Sequence, residues 1–153
     1  MEIDVYLSKA GHQVSQYYHI NEDLAKHFDK VRVEQDSNSP FLAGKLQTGT
    51  YIFLLIAPAT SNTVAKLVHG IGDTMVTNGA IQAMKAYIPV YIMPTDYREG
   101  ETETTLPDGR KMHLRIRSED AEHVNRLREM DGIEPFEYPQ DIADIFHRYF
   151  PEL

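Results

Sequence analysis

Tyr51-Ile-Phe-Leu-Leu-Ile-Ala-Pro-Ala-Thr-Ser-Asn-Thr-Val-Ala-Lys66 decides the fold. An unbroken apolar run stops at Ala57-Pro58, a cluster of small hydroxyl and amide residues follows, and then a helix begins. The run over Tyr51–Ile56 lacks the apolar–polar alternation of a half-buried strand. It therefore predicts a strand covered on both faces, as in a parallel sheet sandwiched by helices. Ser61 or Asn62 is the expected cap of a helix carrying Val64, Ala65 and Val68. In an open α/β sheet, a polar turn between a strand end and a helix start is where ligands bind. The free N–H groups of the helix start favour an anionic or polar ligand.

Working outward, the same grammar repeats. Downstream, Gly70 stops that helix and Asp73 is the expected cap of the next, with Val76, Ala80, Ala83 and Met84 at helical spacing. Pro89-Val-Tyr-Ile-Met93 is the next buried strand, ended by Pro94-Thr-Asp96. Strand, helix, helix, strand is a crossover and implies parallel neighbours. Upstream, Ile3–Leu7 and Val31–Val33 read as strands. Between them come a short helix with Val14, Tyr17 and Tyr18 and a second one capped by Asn21, with Leu24 and Phe28 inward. Phe41, Leu42 and Leu46 anchor a further short helix.

The style changes after Asp96. Thr102–Leu106 and Lys111–Arg117 flank Pro107-Asp-Gly109, a hairpin signature. Ser118 is the expected cap of a helix with Ala121, Val124, Leu127 and Met130 on one face. Ile133–Phe136 reads as a last short strand, and Pro139 as the first position of a final helix. The prediction is one α/β domain over residues 1–153. It has a three-layer Rossmann-like fold, a mostly parallel sheet and a C-terminal β-hairpin appendage.

Composition narrows the function. With 153 residues, the chain is long enough for one well-formed core. A net charge of −8 opposes nucleic-acid backbones and anionic lipid. There is no cysteine, so thiol nucleophiles, disulfides and resident iron–sulfur clusters are excluded for these residues. No apolar run has membrane-spanning length and no leader pattern opens the chain, so a soluble cytoplasmic protein is expected. The seven histidines are scattered without zinc-site spacing, and no metal is expected. No serine occupies a nucleophile elbow. Glu101–Glu103 and Glu119-Asp120 read as solvated or dipole-favouring charges rather than catalytic acids, and Gly70-Ile-Gly-Asp73 as helix punctuation rather than a phosphate loop. The sequence designates no catalytic residue. Two polar turns, after Ile56 and after Met93, fall on one sheet edge and are the candidate site.

Ile56-Ala-Pro-Ala-Thr-Ser-Asn-Thr-Val-Ala-Lys66, Gly70-Ile-Gly-Asp73, Thr77-Asn78 and Pro89-Val-Tyr-Ile-Met-Pro94 resemble the flavoprotein family that includes the homo-oligomeric flavin-containing cysteine decarboxylases. Within it, Leu7-Ser-Lys-Ala-Gly11, Leu106-Pro-Asp-Gly-Arg110 and Leu114-Arg-Ile-Arg117 are similar to the archaeoflavoproteins, which exchange electrons with ferredoxin, and to the dihydromethanopterin reductases. The resemblance implies bound FMN. Ser8 is then expected near the phosphate. Ala57, Pro58, Ala59, Thr60, Ser61 and Asn62 are expected to line the ribityl chain and ring, with Pro94, Thr95 and Asp96 closing the pocket. Asp73, Thr77 and Asn78 are expected near a subunit contact of a homo-oligomer.

Two departures shape the expectation. The decarboxylases carry a histidine just before this strand and end the next one in Pro-Ala-Met-Asn. Here Phe41–Thr50 holds no histidine and the ending is Pro94-Thr-Asp96. Electron transfer is therefore preferred: an FMN-dependent flavoprotein or reductase that takes electrons from ferredoxin and passes them to a small-molecule or protein acceptor. The alternatives are a cysteine-type decarboxylase, and a non-catalytic oligomeric module that has lost FMN. The second departure is that Met1–Val5 aligns with the family's second strand. The family's first strand, expected at the centre of the sheet, and its phosphate loop are not represented.

Overall fold

The computed structural model describes residues 2–152. Seven strands and seven helices follow in the order β1 (Asp4–Leu7), α1 (Lys9–Tyr17), α2 (Asn21–His27), β2 (Lys30–Val33), α3 (Leu42–Gln47), β3 (Leu54–Ala59) and α4 (Ser61–Val68). Then come α5 (Met75–Lys85), β4 (Val90–Pro94), β5 (Gly100–Thr105), β6 (Lys111–Ile116), α6 (Ser118–Arg128), β7 (Ile133–Pro135) and α7 (Asp141–Tyr149). The class is α/β and the pairing mostly parallel, as the sequence predicts. β1 pairs with β2, and β3–β4–β7 form a second ladder, all parallel. Among the described residues only the β5–β6 hairpin is antiparallel, with Thr102 opposite Leu114 and Thr104 opposite Met112.

The three layers follow from the two faces of β3 and β4. Successive side chains of a strand point to opposite faces. Leu54, Ile56, Val90 and Ile92 pack with Leu42, Leu46, Val64, Leu67, Met75, Ala80, Val124 and Leu127, which come from α3, α4, α5 and α6. Phe53, Leu55, Tyr91 and Met93 pack with Ile142, Ile145 and Tyr149 of α7. Burial on both faces is why the sequence of β3 does not alternate. On α5, Gly79 permits a close helix–helix approach: a Cβ there would stand 3.0 Å from Leu42 Cδ2 on α3.

Several boundaries differ from expectation for local reasons. β3 begins at Leu54, three residues later than predicted, and continues through Ala57-Pro58 to Ala59. Tyr51 does not pair with β4, and its hydroxyl is bonded instead to Asp4. Thr60, rather than Ser61 or Asn62, caps α4, and Thr74, rather than Asp73, caps α5. Asn21 is the first residue of α2 and its side chain accepts a hydrogen bond from Ser15. Arg117 occupies the cap position of α6 in place of Ser118. The final helix begins at Asp141, two residues beyond Pro139.

Candidate functional site

The carboxyl ends of β3 and β4 are joined into one edge. Ile56 pairs with Ile92, the register then slips, and Ala59 pairs with Pro94. The Thr95 amide donates to the Ala59 carbonyl at 2.9 Å. This bond aligns the turn after β3 with the turn after β4, so Ala57–Asn62 and Pro94–Asp96 are brought together as the sequence predicts. Ala59 and Pro94 are buried and form the floor. Ala57, Pro58, Thr60, Asn62 and Thr95 are exposed, and Ser61 and Asp96 are half-buried.

The α4 start has capacity for a ligand. Thr60 adopts extended backbone, its carbonyl accepts from the Val64 amide at 3.0 Å, and its hydroxyl accepts from the Thr63 amide at 3.4 Å. The amides of Ser61 and Asn62 precede the first intrahelical bond, at the positive end of the helix. Exposed small apolar residues followed by these donors can receive a flat, partly apolar group with a polar or anionic tail.

Ser8 stands at the end of the first strand, as the sequence predicts, just after Leu7. It caps α1, its hydroxyl accepting from the Gly11 amide at 2.9 Å. The anionic group at this helix start comes from the chain itself. Glu34, buried just after β2, accepts from the Lys9 amide at 3.0 Å through Oε2 and from the Met75 amide at 2.8 Å through Oε1. One carboxylate therefore serves the first turns of both α1 and α5, a role sequence reasoning did not assign. Its partners lie 25 and 41 residues away, and nothing local marks it.

Asp73, Thr77 and Asn78 separate into three roles. Asp73 is exposed and pairs with Lys66 Nζ at 2.8 and 2.9 Å, and that ammonium holds its carboxyl below the usual range. Thr77 is fully buried and exchanges hydrogen bonds with Thr74 in a capping box, so it presents no surface to a partner. Asn78 donates to the Ser37 carbonyl at 2.9 Å and to Asn38 Oδ1 at 3.2 Å, tying α5 to the loop after β2.

Glu119 and Asp120 occupy the first turn of α6, the dipole-favouring position. Asp120 is buried rather than solvated, and Arg117 binds it through two nitrogens at 2.6 and 2.9 Å. The guanidinium holds that carboxyl below its ordinary range. Among the surface cavities are two of about 460 and 380 Å³. Tyr97, Glu134, Asp141 and Arg148 help line the first; Met84, Tyr87 and Asp131 help line the second. No residue of the two polar turns lines either of these cavities. Among the described residues there is no cluster of metal-ligating side chains, and no helix is long and apolar enough to cross a membrane.

A parallel α/β sheet with two joined polar turns at its carboxyl edge defines a cofactor-binding class of protein. The chain belongs to the Flavoprotein family, whose model matches residues 1–145. It is 47% identical over 149 residues to an uncharacterized protein of Methanocaldococcus jannaschii, covering 97% of this chain and 80% of the relative. It is 25% identical over 207 residues to the dihydromethanopterin reductase (acceptor) of the same organism, covering 96% of this chain and 84% of that one. Burkholderia xenovorans DmrB, solved in complex with FMN and described as a cubic protein cage for redox transfer, superposes with a TM-score of 0.84. The two share 31% identity, with 98% of this chain and 82% of that chain covered.

Proposed function

We propose that this chain is an FMN-dependent reductase that works in electron transfer. The single observation that carries the reading is the joined edge, Ala57–Asn62 with Pro94–Asp96, built on the scaffold shared with an FMN-bound redox protein. The residues present fit the group. Ala57 and Pro58 offer exposed apolar surface to a ring, the first-turn amides of α4 offer donors, and Thr60, Asn62 and Thr95 offer side-chain polar groups. When bound, FMN supplies electron transfer.

The protein's own contribution is positional. The Thr95–Ala59 hydrogen bond fixes the spacing of the two turns. Thr60 orients the start of α4, and buried Ala59 and Pro94 keep water from the floor. The electron donor in this reading is ferredoxin or a similar iron–sulfur protein, a separate molecule because this chain has no cysteine. The acceptor is a small molecule or a protein. The working form is a homo-oligomer in which a neighbouring copy covers the open edge, with Asp73 and Asn78 close to that contact. The cage described for DmrB supports this assembly.

The test is a titration of the purified protein with FMN, followed by absorbance and flavin fluorescence. Binding with one flavin per chain is expected, and Asn62→Ala is expected to weaken it about tenfold while leaving the circular dichroism spectrum unchanged. Protein that carries no flavin absorbance as purified, and gains none on incubation with FMN, refutes the proposal.

A further inference from the structure

Four helices end in the same way. After α1, α3, α4 and α5 the chain turns through one left-handed residue, at His19, Gly49, Gly70 and Tyr87, with φ of 58, 72, 70 and 58°. In each case the amides of that residue and the next donate back into the last helical turn. After α5 the Tyr87 amide donates to the Met84 carbonyl at 3.2 Å and the Ile88 amide to the Ala83 carbonyl at 2.9 Å. This turn favours glycine, because a Cβ in the left-handed region crowds the following carbonyl oxygen. Histidine visits that region more readily than most residues, whereas a bulky ring there is strained. Gly49 and Gly70 meet the need without strain, and Tyr87 does not.

Nothing within the chain offsets that strain. Tyr87 is 95% exposed, so its ring packs on almost nothing of its own protein. An aromatic ring left in water forgoes the burial that makes such side chains stabilising. A strained and uncovered ring has its explanation outside the chain that carries it.

The surface beside it is concave. Tyr87 forms one wall of the 380 Å³ cavity, and Met84, Ile88, Pro89, Val90 and Ile133 give the rest an apolar character. Exposed Asp131 stands at its margin. The Leu54 amide donates to the Pro89 carbonyl and the Val90 amide to the Gly132 carbonyl, both at 2.9 Å, which places the cavity at the amino ends of β3, β4 and β7. Ile52, another exposed apolar side chain, precedes β3 at this same end. The two polar turns lie at the opposite, carboxyl end. A neighbour at either end therefore leaves the other free.

We propose that the amino end of the β3–β4–β7 ladder is a two-fold contact between copies of this chain, in which Tyr87 of each copy enters the cavity of the other. A second copy is the occupant because protrusion and cavity lie side by side on one surface. A two-fold axis beside them gives each copy what the other lacks. Charge agrees with this pairing. Lys85, two residues before Tyr87, and Asp131 carry opposite signs, so the axis brings each ammonium toward the partner's Asp131. Tyrosine suits such a contact, having an apolar body to bury and a hydroxyl to place at a polar margin. The contact is distinct from the carboxyl edge on which the flavin reading rests, and either stands if the other fails.

The test is sedimentation of the intact chain over a range of concentrations, with Tyr87→Gly beside the parent. The variant's dissociation constant for this contact is expected to rise at least tenfold, while its FMN titration stays unchanged. Glycine relieves the left-handed residue, so at a dilution that separates the parent's copies the variant is expected to melt no lower than the parent. Lys85→Asp and Asp131→Lys, each made alone, bring like charges together and weaken association; combined in one chain they restore it. A photo-crosslinking phenylalanine at position 87 should join residues 84–91 or 131–134 of a second copy, distinguished from its own chain by mixing isotope-labelled and unlabelled protein. A parent that stays monomeric at every concentration overturns the proposal, as does a Tyr87→Gly variant that sediments like the parent or melts lower when dilute. A combined charge swap that fails to restore association, or crosslinks confined to other surfaces or other molecules, also overturns it.

Discussion

Replacing Glu34 with glutamine is expected to destabilise the protein out of proportion to the size of the change. The side chain keeps its volume, but a carboxylate that accepts two amide hydrogens becomes an amide that accepts on one side only. Its NH₂ group must then face either the Lys9 or the Met75 amide, which are 3.0 and 2.8 Å from the carboxylate oxygens. One hydrogen bond to a charged acceptor is lost, at about 1.5–3 kcal/mol. The surviving bond falls to neutral strength, roughly half. Two helix starts lose a nearby negative charge, at about 0.3–1 kcal/mol each. Because these effects overlap, the net expectation is a loss of about 2–4 kcal/mol. Urea unfolding of parent and Glu34→Gln at 25 °C measures it, with an unchanged slope showing that the transition compared is the same. Exchange of the Lys9 and Met75 amides should accelerate in step. A variant within about 0.5 kcal/mol of the parent refutes the view that this carboxylate anchors both helices.

Two further predictions concern the polar ties that hold the layers. The Tyr51 hydroxyl, aided by Arg32, Lys30 and Lys45, holds the Asp4 carboxyl below its ordinary range. Because the folded value is depressed, this stabilisation is fully present above about pH 4 and is lost as pH falls through the folded value. Tyr51→Phe should therefore cost about 1–2 kcal/mol near neutral pH, and its unfolding curve should converge on the parent's in acid; a constant gap at all pH values would contradict the assignment. Thr77→Ala removes the hydroxyl bonded to the Thr74 amide at 3.1 Å, and should cost about 1–2 kcal/mol in a thermal melt, while Thr77→Ser should recover most of it.

What could be read from the sequence was what neighbours in sequence decide. The passage from Phe53 through Lys66 announces a strand, a turn and a helix because apolar run, small polar cluster and helical spacing are all local signals. The same holds for the hairpin at Pro107-Asp-Gly109. The caps slipped by one residue where several good capping residues stand together. Thr60, Ser61 and Asn62 are each able to cap, and Asp73, next to the actual cap Thr74, pairs with Lys66 instead. Glu34 drew no reading from the sequence and Asp120 read as a solvated or dipole-favouring acid, because burial and partners are tertiary facts. Glu34 meets a helix start 41 residues distant. For Asp120 the partner is close, yet the sequence does not show that the carboxylate is buried while Arg117 stays largely exposed. The candidate edge was legible as two turns; the hydrogen bond from Thr95 to Ala59 that makes them one edge was not.

The Tyr6–Tyr51–Asp4 contact also gives the molecule a built-in optical reporter. The chain contains no tryptophan, so tyrosine emission is not drained into a stronger fluorophore. A phenol that donates to a carboxylate at 2.6 Å, as Tyr51 does, has an efficient path for losing excited-state energy through its proton. Any event that parts Asp4 from Tyr51 will therefore brighten the protein in the near ultraviolet, with no label attached.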